Sequence, residues 1–140
     1  MTAITIATTG VREVFSDKND VFDMIAAEAI TAGQPVYQTS AGKAGIADAN
    51  ASGKQQVRGI ALYDTAAGKP CAILRRGYIA GYALSGVAYD GIVYLSDTAG
   101  SLDDAAGTMT VNIGRVESLN DDPDLTKVLF IDCDHLRAWS

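Results

Sequence analysis

Val57-Arg58-Gly59-Ile60-Ala61-Leu62 returns later in the chain as Asn112-Ile113-Gly114-Arg115-Val116, and this recurrence decides how the sequence is read. Working outward, Ile30-Thr31-Ala32-Gly33-Gln34-Pro35-Val36-Tyr37 is answered by Val87-Ala88-Tyr89-Asp90-Gly91-Ile92-Val93-Tyr94, with Tyr37 and Tyr94 57 residues apart. Ala41-Gly42 and Asp48-Ala49 match Ala99-Gly100 and Asp103-Asp104-Ala105, and Lys69 to Leu74 matches Lys127 to Ile131. The chain is thus two similar halves, about 30–76 and 87–133. A duplicated unit builds its core from equivalent positions, so the recurring residues are structural before they are catalytic.

Within each half, short runs rich in Val, Ile and Tyr are separated by Gly, Asn, Asp and Ser, the punctuation of an all-β barrel or sandwich. Strands are expected at 34–39, 57–63, 70–76, 77–84, 91–96, 109–119 and 127–133, with polar turns over 39–54 and 97–107. In the stretch joining the halves, Tyr78 and Tyr82 share one face and Gly77 and Gly81 the other. A glycine face admits the close approach of another backbone. Residues 1–28 lie outside the repeat and read as a separate unit preceding a β domain over 29–140. Its first part is an extended arm with Ile4 and Ile6 on one face. Asp20 to Glu28 predicts a short helix, with Asp20 placed to cap it and acidic residues at the positive end of its dipole.

Alanine supplies 22 of the 140 residues while Phe and Trp together supply four, so one subunit's interior is built from side chains of small area and would gain from oligomerisation. The net charge of −6 and a pI near 4.5 oppose binding to nucleic acid or to an anionic membrane, both of which rely on clustered Lys and Arg. The longest run of large apolar residues, Val128 to Ile131, is far short of the roughly 20 needed to span a bilayer. Met1 to Ile6 has neither the basic start nor the apolar stretch of a secretory signal, so cytoplasmic synthesis is expected. Cys71 and Cys133 fall in matching C-terminal strands and read as buried free thiols.

Asp132-Cys133-Asp134-His135 is the one cluster with a chemical look. On a strand, Asp132 and Asp134 point opposite to Cys133, so these groups do not converge on a metal. A Cys–His nucleophile pair would further need a third group and an oxyanion site, and a small Cys-dependent hydrolase is accordingly a distant reading. Gly53-Lys54 and Gly68-Lys69 lack the upstream glycine of a phosphate loop, and Asn50-Ala51-Ser52 is a chance glycosylation match in a polar turn. Arg75-Arg76 reads as a solvated strand end. No catalytic residue, cofactor or metal is expected.

Charge separates the halves. Gln38 to Arg76 holds six basic residues against two acidic ones, whereas Asp97 to Asp134 holds nine acidic residues against Arg115 and Lys127. Either exposed positions have drifted since the duplication, or the basic half of one subunit meets the acidic half of the next and closes a ring. In the second case Lys43, Lys54, Arg58 and Lys69 face Asp103, Asp104, Asp121, Asp122 and Asp124, with Tyr78 and Tyr82 as the aromatic members of the subunit interface.

The stretch Ala41-Gly42-Lys43-Ala44-Gly45-Ile46-Ala47-Asp48-Ala49-Asn50, with Gly59-Ile60-Ala61-Leu62, Leu74-Arg75-Arg76-Gly77-Tyr78 and Tyr94-Leu95-Ser96-Asp97-Thr98-Ala99-Gly100, resembles the capsid decoration (cement) proteins of tailed bacteriophages. The similarity covers about residues 29–134. It implies a small β-barrel or β-tulip protein, commonly a homotrimer, on the outer surface of the expanded capsid. There it would hold major capsid protein subunits together after its synthesis in the bacterial host cytoplasm. In such proteins an N-terminal arm often reaches the capsid, which makes Ile4, Ile6, Val11, Val14 and Phe15 the expected capsid contacts. The chain departs from the pattern in Val21 to Ala29 and in Leu136 to Trp139. The competing reading is a carbohydrate- or receptor-binding module of a phage tail or fibre, with Tyr78, Tyr82 and Tyr89 as stacking surfaces.

Overall fold

The computed structural model of the chain describes residues 3–7, 10–14, 19–118 and 127–133. Among these described residues eleven strands form one antiparallel sheet: β1 (Ala3–Ile4), β2 (Arg12–Val14), β3 (Asp20–Ile25), β4 (Pro35–Gln38), β5 (Ala44–Ile46), β6 (Val57–Ala61), β7 (Pro70–Ala80), β8 (Ile92–Leu95), β9 (Leu102–Asp103), β10 (Asn112–Ser118) and β11 (Lys127–Asp132). The sheet curls into a half-barrel. Its order is β5-β4-β6-β7 on one side of the β7–β11 seam and β11-β10-β8-β9 on the other, followed by β1. The second half is the first read backwards, as a two-fold relation between duplicated units across two antiparallel central strands requires.

The duplication extends to an irregularity. β4 and β6 pair Val36 with Gly59 and Tyr37 with Val57, leaving Arg58 as an extra residue. β8 and β10 pair Val93 with Gly114 and Tyr94 with Asn112, leaving Ile113 as the extra residue. The same β-bulge therefore sits at equivalent positions, where it sharpens the local twist that curls the sheet. Its glycines are fixed by contact: a Cβ on Gly59 would meet the Leu74 carbonyl oxygen, and one on Gly114 the Phe130 carbonyl oxygen.

β7 organises the sheet, pairing with β6, β11, β2 and β3. The sequence divides it at Arg76/Gly77, and a shift occurs just before that point, at Arg75: Asp20 pairs with Arg76 but Val21 with Leu74. The strand nevertheless continues, because β2 and β11 both pair across its second part. The shift changes the alternation, so Leu74 and Ile79 both enter the main core although they are an odd number of residues apart. That core draws Val57, Ile60 and Leu62 from the first half and Val93, Ile113 and Leu129 from the second. A smaller cluster of Ile30, Val36, Ala61, Cys71 and Ile73 packs against Phe22 and Met24.

Three features differ from the sequence expectation. The short helix proposed for 20–28 is replaced by β3 over Asp20–Ile25, because a strand partner, β7, is at hand and the Asp20 carboxylate ion-pairs with Arg75 at 2.8 Å instead of capping a helix. β5 and β9 lie inside stretches read as turns, since two or three residues show no measurable alternation. Lastly, part of the extended arm, read from the sequence as lying outside the core, is built into the sheet. β1 pairs with β9, β2 pairs with β7, and Ile4 is buried in the main core.

Candidate interaction surfaces

The two turn regions of the halves are joined. Ala49 N–H donates to the Ser96 carbonyl (3.1 Å), Met109 N–H to the Ala49 carbonyl (3.1 Å), and Gly100 N–H to the Ala47 carbonyl (2.9 Å). Asp97 clamps the second region, accepting from Thr108 N–H (2.7 Å) and Thr108 Oγ1–H (3.0 Å). Two of the stretches that carried the family resemblance, 41–50 and 94–100, are thus tied together by hydrogen bonds between the repeats.

The charged candidates divide. Lys43, Lys54 and Lys69 are exposed, as a solvent-facing basic surface needs. Arg58 is half-buried because it is the extra residue of the first bulge. Asp104 is partly exposed, but Asp103 is only 3% exposed: it lies in β9 between β1 and β8, and its carboxylate accepts from Asp104 N–H at 2.8 Å. Its placement as an exposed interface acid is therefore corrected. Asp121, Asp122 and Asp124, with Phe15 of the arm, lie outside the described residues.

The aromatic candidates are largely occupied within the subunit. Tyr82 donates its hydroxyl to the Gly33 carbonyl (2.7 Å), and burial pushes its pKa upward, with Cys133 adding to the rise. Tyr78 packs on Phe130, ring centres 5.1 Å apart, and is half-buried. Tyr89 is exposed, with Lys127 Nζ 5.1 Å from its ring centre, beside an open depression of about 360 Å³ lined by Tyr89, Asp90, Val116, Glu117 and Ser118. Lys127 Nζ also donates to the Leu84 carbonyl and to the Val87 carbonyl, so it fastens this loop to β11.

The glycine face of β7 is a site of close approach. A Cβ on Gly81 would stand 2.6 Å from Val11 Cα, and one on Gly77 would meet the Asn19 side chain. Val11 and Ile6 also pack against Gly33. Of the arm candidates, Ile6, Val11 and Val14 are half-buried, while Ile4 belongs to the subunit's own core.

Sequence reasoning missed the face of β3. Val21, Asp23 and Ile25 are exposed at alternate positions, while Phe22 and Met24 between them pack on the smaller core cluster. The only sequence signal was the β-branched and aromatic content of Val21, Phe22 and Ile25, and the acidic residues favoured a helical reading.

Both thiols are buried and free. Burial pushes Cys133 up from 9.0 to about 12, with Asp132 adding to the rise, and burial likewise raises Cys71. A thiol reagent at pH near 8 should therefore label neither cysteine faster than the protein unfolds, and both in denaturant. Since the folded protein holds these protons more tightly than the unfolded chain, their contribution to stability is intact below about pH 9 and is lost as the pH rises toward 12. The melting temperature should fall across that window, less steeply in Cys133→Ala; an equal slope in the variant would remove Cys133 as a cause. Among the described residues no group of three His, Cys, Asp or Glu side chains is placed to hold a metal ion, and no helix is long and apolar enough to cross a membrane.

Comparison with known families agrees with a structural reading of these surfaces. No curated protein and no solved structure matches the chain significantly. The family described as structural cement protein (E217 gp24/Pam3 gp6) matches residues 5–130, which takes in the first repeat, all but the end of the second, the bulges and the joined turns. The chain belongs to the phage structural cement protein family, whose role is structural and whose place is the virion capsid.

Proposed function

We propose that the protein binds the outer surface of the expanded phage head as a homo-oligomer, a trimer by family resemblance, and bridges neighbouring major capsid protein subunits. The observation that carries this reading is the family match over 5–130. The architecture supports it: an 11-stranded sheet with a continuous main core is a stiff element able to carry load across a junction. We read the two buried thiols as structural rather than nucleophilic; Asp134 and His135 of the Asp132–His135 cluster lie outside the described residues. The half-buried apolar side chains Ile6, Val11 and Val14 offer the arm's contact with the shell, with Phe15 proposed beside them. The acidic chain suits an outer position, away from packaged DNA.

The test is binding of purified protein to emptied, expanded heads. Saturable binding that raises the temperature at which heads disrupt is expected, and absence of binding would overturn the proposal. The carbohydrate-binding reading retains Tyr89 as its exposed aromatic, since Tyr78 and Tyr82 make contacts within the subunit.

For the oligomer, we propose that Lys43, Lys54, Arg58 and Lys69 of one subunit face Asp104, Asp121, Asp122 and Asp124 of the next. Exposed pairs of this kind contribute about 0–1 kcal/mol each and are screened by salt, so they set register and assembly rate. Lys43→Glu with Lys54→Glu should slow assembly at low salt, and Asp121→Lys with Asp122→Lys in the same chain should partly restore it. Unchanged light-scattering kinetics in the first variant would sink the head-to-tail contact.

A further inference from the structure

Among the described residues β3 ladders with β7 alone, and its other edge is open from Val21 until just past the strand, where Ala26 bridges Ala44 of β5 and Ala27 N–H donates to the Ala44 carbonyl at 2.8 Å. Just past the strand, Ala26 N–H donates to the Lys69 carbonyl at 2.9 Å. Antiparallel partners alternate between hydrogen-bonded and non-hydrogen-bonded pairs, so this bond sets the phase of the ladder. Phe22 and Met24 turn their N–H and C=O groups toward β7; Val21, Asp23 and Ile25, opposite Leu74, Ala72 and Pro70, turn theirs away. Pro70 fits this phase, since a residue without N–H is tolerated where no bond to β3 is needed.

The same three residues carry the exposed side chains. Val21 and Ile25 are each 40% exposed on one face, with exposed Asp23 between them. Asp23 has no ion pair or hydrogen-bond partner among the described residues. The outward backbone groups of Val21 and Asp23 therefore coincide with an exposed apolar–acidic–apolar row along an edge that β5 closes after Ile25.

We infer that this edge accepts an extended segment of the capsid protein by strand addition, with apolar side chains against Val21 and Ile25 and a Lys or Arg opposite Asp23. The inference rests on the capsid-binding reading and names the surface used. A second copy fits poorly: antiparallel self-pairing with the sheet faces aligned sets Val21 against Ile25 but also Asp23 against Asp23, a repulsion within an already acidic protein. A wholly apolar partner would leave the Asp23 carboxylate buried without a counter-charge. A basic, otherwise apolar strand satisfies all three positions.

Two variants test this. Asp23→Pro removes an outward N–H while leaving the bonds that Phe22 and Met24 make with β7, and Asp23→Lys reverses the charge. Binding to emptied, expanded heads by co-sedimentation is compared with the parent, alongside melting temperature and mass in solution. Each variant should bind about tenfold or more weakly with folding and mass unchanged; if Asp23→Pro fails to fold, Asp23→Lys decides. Parent-like binding by the folded variants overturns the inference while leaving capsid binding intact. A changed solution mass with parent-like head binding would mean that β3 is a seam between copies, and also overturns it. If the parent itself fails to bind heads, the capsid-binding reading falls, and this inference with it.

Discussion

Gly114→Ala should lower the melting temperature by about 10 °C, reflecting a loss of about 3 kcal/mol. The added methyl would be placed on the Phe130 carbonyl oxygen and within 2.9 Å of Ile131 Cα, at a position where β10 is tied to β8 on one side and to β11 on the other. Backbone atoms cannot swing aside as a flexible side chain does, so the bulge must open or the β10–β11 ladder must separate. Gly59→Ala should show a loss of the same order, because its Cβ would meet the Leu74 carbonyl oxygen and the Ile73 side chain in the equivalent place. Gly86→Ala is the control: nothing lies within 4 Å of its Cβ, and the change should be within about 0.5 kcal/mol. Differential scanning calorimetry on the three variants decides the matter. A Gly114→Ala protein that melts like the parent would show that the bulge has room to relax and does not depend on glycine.

Gly81→Ala should release the arm. Gly81 has φ of 111°, a conformation that side-chain-bearing residues rarely adopt, and its Cβ would stand 2.6 Å from Val11 Cα and 2.8 Å from Val11 N. The nearby bonds that hold the arm include Ala7 N–H to the Gly81 carbonyl at 2.7 Å and the pairing of Arg12 with Ala80. Displacing Val11 strains both, at a cost of about 2 kcal/mol or more. Trypsin reports this directly, because cleavage after Arg12 requires the β2 backbone to leave β7. Cleavage at Arg12 should accelerate by about tenfold or more in the variant, at protease concentrations where opening is fast relative to cutting. If Arg12 is cut equally fast in parent and variant, the arm is already released in solution and the contact at Gly81 does not hold it. The comparison also bears on the capsid: a released arm that still supports head binding would place the docking contacts elsewhere on the sheet.

The duplication, read from recurring residues, was enough to determine an all-β chain with most of its strands, and Gly59 and Gly114 were visible as a matched pair before their role was known. Local sequence carries this information because strand alternation and turn chemistry depend on near neighbours. Why those glycines recur was not legible, since the atom that excludes a side chain belongs to the next strand, Leu74 in one half and Phe130 in the other. Residues 20–25 show the same limit from the opposite direction: their acids matched a helix start, and only the edge of β7 made them a strand. Asp103 and Ile4 complete the case. One is a charged residue in a polar stretch and the other an isoleucine of the arm near the start, and each is buried because β1, β9 and β8 lie side by side. Sequence fixes what a segment is able to form from its own period and composition. Long-range pairing decides which face is covered, which edge stays open and therefore where a partner strand can add, because those depend on residues dozens of positions away.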